Sequence, residues 1–111
     1  MTKQKTVPVT SVCNPDCPVK KTAEIIDGKW ITLIIRDLLS GTKRYSELLR
    51  SLEGVSPKML AERLRFLEEK GVISKKIYPT VPPKTEYTLT SRGRGLGPVV
   101  RAMATFGEKL R

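Results

Sequence analysis

Ser56-Pro57-Lys58-Met59-Leu60-Ala61-Glu62-Arg63-Leu64-Arg65-Phe66-Leu67-Glu68-Glu69-Lys70-Gly71 is the stretch whose reading decides how this 111-residue chain folds. A serine hydroxyl at a helix N-cap accepts an otherwise unpaired first-turn N–H. A proline at the next position loses nothing, because its missing N–H has no helical partner there. Val55 and Leu60 stand in the two places of a hydrophobic staple across that start. Leu60, Leu64 and Leu67 recur at intervals of four and three, which puts them on one inward stripe, and Gly71 supplies a stop. The spacing predicts a helix over 56–70. At about 100° per residue its opposite face carries Lys58, Glu62, Arg65 and Glu69, with Met59, Arg63 and Phe66 on the flanks.

Working outward, Tyr45, Leu48, Leu49 and Leu52 follow an i, i+3, i+4, i+7 rhythm and predict a short helix over about 44–52, joined to the next by Glu53-Gly54-Val55. Downstream, Val72–Tyr78 and Thr85–Leu89 are rich in β-branched and aromatic residues and predict two strands. The segment Pro79-Thr80-Val81-Pro82-Pro83-Lys84 between them holds three prolines in six residues, so it is a stiff loop and not a two-residue hairpin. Upstream, Pro18 suits the first turn of a helix over about 18–27 that Asp27-Gly28 stops. A helix over about 29–40 would show Trp30, Leu33, Ile34, Leu38 and Leu39 as its apolar face. After Thr90 a last helix carries Leu96, Val99, Val100, Met103, Phe106 and Leu110 on one side. Its start is weak, since Gly93, Gly95 and Gly97 each cost roughly 1 kcal/mol against Ala, and Pro98 invites a kink. Residues 1–16 read as a flexible arm and 17–111 as one domain. The expected fold is mainly α with a small β-wing: a winged helix-turn-helix.

Twenty-one Lys and Arg against eleven Asp and Glu give a formal net charge of +10, which favours a polyanionic partner. The excess is localised. Residues 22–55 carry five charges of each sign, whereas 56–92 carry eight positive against four negative and 93–111 four against one. The charge therefore gathers on the 56–70 helix, the ribbon and the ends. No apolar run approaches the ~20 residues of a membrane span. The start of the chain lacks the apolar core of a secretion signal, so a cytoplasmic, nucleoid-associated location without membrane contact is expected. With no histidine in the chain there is no ordinary general base near pH 7. No Gly-rich phosphate loop, nucleophile elbow or metal motif appears. An enzyme is not expected, nor a cofactor, nor a metal: two cysteines without histidine could hold zinc only by sharing it between two protomers.

The second helix of a helix-turn-helix can enter the DNA major groove, and this one presents groups that read base edges. Lys58 and Arg65 can donate to guanine, Glu62 can accept from cytosine, and Met59 supplies an apolar contact. Amides beside Ser56 and Pro57 suit a phosphate. Lys43, Arg44 and Arg63 join this expected DNA-binding set. Lys75, Lys76 and Lys84 sit where a wing meets phosphates, although lysines on edge strands also discourage aggregation. An ordinary solvated amphipathic face is the competing reading of the helix, and the preceding helix, the tight turn and the basic ribbon argue against it. A protein-binding adaptor or a non-specific DNA-coating protein could use the same fold.

At this point a resemblance emerges. Cys17-Pro18-Val19, Asp27-Gly28-Lys29-Trp30, Leu38-Leu39-Ser40-Gly41 and Arg44-Tyr45-Ser46-Glu47-Leu48 resemble the HxlR-type transcriptional regulators. So do Ser56-Pro57-Lys58-Met59-Leu60, Arg63-Leu64, Leu67-Glu68, Tyr78-Pro79, Val81-Pro82-Pro83 and Tyr87-Thr88-Leu89-Thr90, a match running from about 17 to 107. The chain departs from that pattern at Lys20-Lys21, at Phe66, and at Arg92 with the three glycines. The resemblance implies a prokaryotic regulator related to the MarR group that binds double-stranded DNA as a homodimer, with the first and last helices building the dimer. The residues point the same way, because Leu96, Val99, Val100, Met103, Phe106 and Leu110 exceed what one small core needs, although packing on the 29–40 helix would also use them. A two-fold dimer places its reading helices about 34 Å apart and predicts an inverted-repeat operator.

Cys17 precedes Pro18 at a helix start, where the dipole and Lys20-Lys21 favour a thiolate and Asp16 opposes it. Cys13 is placed to resolve an oxidised Cys17. The family position of Cys17 is one where several members sense electrophiles or oxidants, so a small electrophile or oxidant is the expected signal. The alternative is an unreactive, partly buried thiol.

Overall fold

A computed structural model describes residues 16–111; the expected arm before Asp16, with Cys13, lies outside the described residues. In chain order the elements are α1 (Pro18–Ile26), α2 (Ile31–Leu39), β1 (Lys43–Arg44), α3 (Tyr45–Ser51), α4 (Pro57–Glu69), β2 (Ile73–Tyr78), β3 (Lys84–Leu89), α5 (Ser91–Arg94) and α6 (Gly97–Glu108).

α4 forms as its sequence dictates. The Ser56 hydroxyl accepts the Met59 N–H at 3.0 Å. Leu60, Leu64 and Leu67 are buried, Val55 packs in the same cluster, and Gly71 closes the helix with φ +73°. α2 differs from expectation. Its buried stripe is Ile31, Ile34, Ile35 and Leu38, while Leu33 is 36% exposed. Trp30 is not in the helix at all: it is the N-cap, held left-handed at φ 80°. With six of the nine residues from Ile31 to Leu39 being leucine or isoleucine, the sequence offered two stripes, and packing against α3, β3 and α6 selects between them.

The ribbon also gains a strand. β1 pairs antiparallel with β3, so the sheet order is β1-β3-β2. Two residues have no readable period, and Lys43–Arg44 become a strand only because β3 is there to accept them. Opposite residues run Lys43↔Tyr87 and Arg44↔Glu86 on one side of β3, and Lys75↔Tyr87, Lys76↔Glu86 and Tyr78↔Lys84 on the other.

The last helix is likewise divided, into α5 and α6. Thr90 caps α5, its hydroxyl accepting the Gly93 N–H at 3.1 Å and donating to the Gly71 carbonyl at 2.6 Å. Gly93 is buried against Val72, where a Cβ would collide with that residue's carbonyl oxygen. This glycine therefore serves a close backbone approach and is not simply a weak helix former. Beneath the three-stranded sheet, α2, α3 and α4 enclose one core that also takes in Val72, Tyr87, Leu89 and Leu96. Among the described residues no charged side chain is buried in it, and Tyr87 is the one residue there that carries a hydroxyl. α1 contributes no buried residue, though Ile25 and Ile26 lean on the core.

Candidate nucleic-acid interface

Two contacts fix α4 against the elements before it, and a third closes the start of α3. The Tyr45 hydroxyl donates to the Pro57 carbonyl at 3.1 Å, tying the start of α3 to the start of α4. At the same end of α3, the Glu47 carboxylate accepts the Arg44 N–H at 2.8 Å. The Arg63 Nε donates to the Lys29 carbonyl at 3.0 Å, which pins the flank of α4 to the loop joining α1 and α2. The turn between the helices passes through Gly54 at φ +95°, beside the Trp30 ring. Because α4 is held at its start and again midway along its length, its outward face is presented on a fixed support.

That face is solvent-exposed along Ser56, Pro57, Lys58, Glu62, Arg65 and Glu69. Met59, Arg63 and Phe66 are half-buried on the flanks, and Phe66 packs on the core with the Lys70 ammonium 5.6 Å from its ring centre. Arg63 thus divides its guanidinium between the Lys29 carbonyl and the surface, a role that its sequence position did not reveal. Ala61 is a further exposed residue one turn after Lys58, and it escaped the sequence reading because alanine carries no chemical signature.

Strand register sorts the wing cations into two groups. Directly opposed residues share a face of a sheet. Lys43 and Lys75 flank Tyr87 on the face that meets the core, and Ile77, 60% exposed, continues that face beyond it. Arg44, Lys76 and Lys84 share the other face with Glu86, and the Lys76 ammonium lies 4.9 Å from the centre of the Tyr78 ring. Thr42 and Thr88 confirm this face by a 2.9 Å hydroxyl contact. Arg44 and Lys84 also line an open groove of about 600 Å³ between the start of α3 and the wing loop with the first residues of β3. All five cations except the half-buried Lys43 are exposed.

A family model for HxlR-like helix-turn-helix proteins matches residues 25–111. The chain belongs to the HxlR-like helix-turn-helix family. Among its relatives is the HTH-type transcriptional regulator sll1512 of Synechocystis, 44% identical over 92 residues, which span 83% of this chain and 68% of that protein. A MarR-family transcriptional regulator from Porphyromonas gingivalis W83 superposes with a TM-score of 0.85 at 43% identity, covering 89% of this chain and 97% of the other. The redox regulator HypR in its oxidized form superposes with a TM-score of 0.80 at 40% identity, covering 86% and 98%. This HxlR-like chain is therefore a DNA-binding transcriptional regulator of the winged helix-turn-helix type, and like its relatives it is not an enzyme. Among the described residues no helix is long and apolar enough to cross a membrane.

Two features lie outside the DNA-facing surface. Cys17 is a free, half-buried thiol at the N-cap of α1, and its carbonyl accepts the Lys21 N–H at 3.0 Å. At the N-cap of α6, Leu96 is buried in the core, and on the helix itself Val99 and Val100 pack partly against it. The stripe then runs on past the core, leaving Met103 at 44%, Phe106 at 62% and Leu110 at 71% exposure.

Proposed function

We propose that this regulator binds an inverted-repeat operator as a homodimer, with α4 of each protomer in a major groove and the wing on the flanking backbone. The observation that carries the reading is the outward placement of Lys58, Glu62 and Arg65 over a buried leucine stripe. Lys58 and Arg65 supply donors for guanine, Glu62 an acceptor for cytosine, and Ala61 a methyl for contact with thymine. Ser56 and Pro57 bring the α4 start to a phosphate, with Met59 and Arg63 at its edges. Arg44, Lys76 and Lys84 on one wing face, and Lys43 and Lys75 on the other, contribute backbone contacts that add affinity without reading sequence. The dimer reading rests on the α6 stripe. Leu96 serves the core, and Val99 and Val100 partly so, which leaves Met103, Phe106 and Leu110 for a partner helix; α1 likewise has no buried residue of its own.

Gel-shift titrations with a two-fold operator test this. Affinity should fall steeply with salt, and random duplex should bind at least about a thousandfold more weakly, as specific regulators do. A ratio near one would mean a DNA-coating protein.

A second reading, sensing through Cys17, is favoured by the likeness to the redox regulator HypR and by the position of the thiol at the α1 N-cap. Diamide would take the two thiol hydrogens of Cys17 and Cys13 and leave a disulfide between them. Diamide should weaken operator binding of the native chain and leave Cys17→Ser unaffected; equal responses would end the idea.

A further inference from the structure

The loop between α1 and α2 holds two residues in left-handed backbone, Gly28 at φ +118° and Trp30 at φ 80°. Glycine adopts such angles freely, but a bulky L-residue at positive φ is strained, and the strain persists only where the surroundings hold it. Three contacts do so here. The Trp30 ring packs on the core and lies against Gly54 in the turn before α4, its Cη2 3.7 Å from where a Cβ would stand. The Lys29 ammonium lies 5.2 Å from the centre of the same ring. From α4, the Arg63 Nε donates to the Lys29 carbonyl at 3.0 Å, and the Arg63 Cζ sits 3.7 Å from where a Cβ on Gly28 would stand. Arg63 is half-buried and pairs with no carboxylate among the described residues.

What this loop carries is α1. Leu60, Leu64 and Leu67 seat α4 on the core, whereas α1 has no buried residue and leans on the core through Ile25 and Ile26. The element free to swing about the joint is therefore α1, and the Arg63 bond decides where it stands relative to α4. We propose that Arg63 is a positioning residue: by locking the α1–α2 loop to the reading helix, it sets the separation at which a dimer presents its two α4 helices. The inference rests on the homodimer and inverted-repeat reading above. α1 has nine residues and is about 13 Å long. A swing of about 10° at the loop moves its far end by about 2.3 Å, and two protomers together by about 4.6 Å. That exceeds the rise of one base pair, about 3.4 Å. Without the Arg63 bond the dimer would accept operators whose half-sites stand one base pair closer or farther apart. An Arg63 that used its other N–H groups on a phosphate would behave differently, because phosphate contacts add affinity on any duplex and show in the salt slope.

The test uses the inverted repeat that the full parent chain selects from random duplex, its versions with one base pair added or removed between the half-sites, and a single half-site. Anisotropy titrations at several salt concentrations compare the parent chain, Arg63→Gln and Gly28→Ala. The parent chain should bind both altered spacings about tenfold or more weakly than the selected repeat. Arg63→Gln should cut that preference to about threefold or less, with half-site affinity and salt slope unchanged. Gly28→Ala strains the loop without altering a cation and should do the same. The emission of Trp30, the single tryptophan of the chain, should shift in both variants without DNA. A salt slope lowered by about 0.9, with all the duplexes weakened alike, would make Arg63 a phosphate contact. Loss of half-site affinity along with the repeat would make it part of the reading surface. Either result overturns the proposal, as does an unchanged spacing preference in Arg63→Gln, which decides alone should Gly28→Ala fail to fold. A parent chain that selects no inverted repeat, or binds the half-site as tightly, would sink the homodimer reading and this inference with it, so the two failures are told apart before any variant is measured.

Discussion

Removing the Lys58 and Arg65 side chains separates sequence reading from mere charge attraction. Both residues are exposed on α4, and neither forms an ion pair among the described residues, so Lys58→Ala and Arg65→Ala should change folding stability by no more than about 0.5 kcal/mol. A bidentate contact to guanine is worth about 1–3 kcal/mol, which at 25 °C is about a 5- to 150-fold loss of operator affinity. A phosphate contact behaves differently: its loss lowers the slope of log affinity against log salt by about 0.9 and weakens all duplexes alike. Fluorescence anisotropy with the operator, with a point-changed operator and with random duplex, each at several salt concentrations, distinguishes the two. The expected result for at least one substitution is a loss confined to the operator with an unchanged salt slope. If both variants fold and bind the operator within about twofold of the parent chain, the outward face of α4 is not the reading surface.

Other substitutions probe separate parts of the structure. Phe106→Asp places a charge in the exposed apolar stripe and should give monomers by sedimentation equilibrium with little change in melting of the protomer; a persistent dimer would exclude that stripe as the interface. Gly93→Ala would be worth about 1 kcal/mol of added stability if the glycine merely weakened a helix, but the collision of its Cβ with the Val72 carbonyl predicts a loss of about 1–3 kcal/mol in denaturant unfolding. Tyr87 is pushed above its usual pKa of 10.0, first by burial and then by the nearby Glu68 carboxylate and Tyr45. The unfolded phenol ionises at lower pH than the folded one, so its contribution is intact below pH 10 and is lost as pH rises through the folded value. Melting temperatures of the parent chain should therefore fall more steeply above pH 10 than those of Tyr87→Phe; parallel curves would refute the burial argument.

The legible parts of this chain are those where one residue type satisfies a local rule. Ser56, Pro57 and the leucines of α4 specify a helix, its start and its inward face by hydrogen bonding and periodicity that act within a few residues, and the exposed positions of Lys58 and Arg65 follow by geometry. Local rules failed where two answers were locally equal or where the partner was distant in sequence. α2 carries apolar residues on two adjoining stripes, and packing against α3, β3 and α6 chose between them. Lys43–Arg44 had no pattern of their own, and Gly93 looked like a defect until Val72 was seen against it.

From the sequence alone came the winged helix-turn-helix order, the outward charge of α4, the basic wing and the surplus apolar stripe on the last helix, because helix phase and strand alternation are short-range properties of the backbone. Only the tertiary structure decided that β1 joins the sheet, that Arg63 holds the α1–α2 loop, and that Leu96 belongs to the core while Phe106 does not. Each of those depends on two segments far apart in the chain arriving at the same place, and no local preference carries that information.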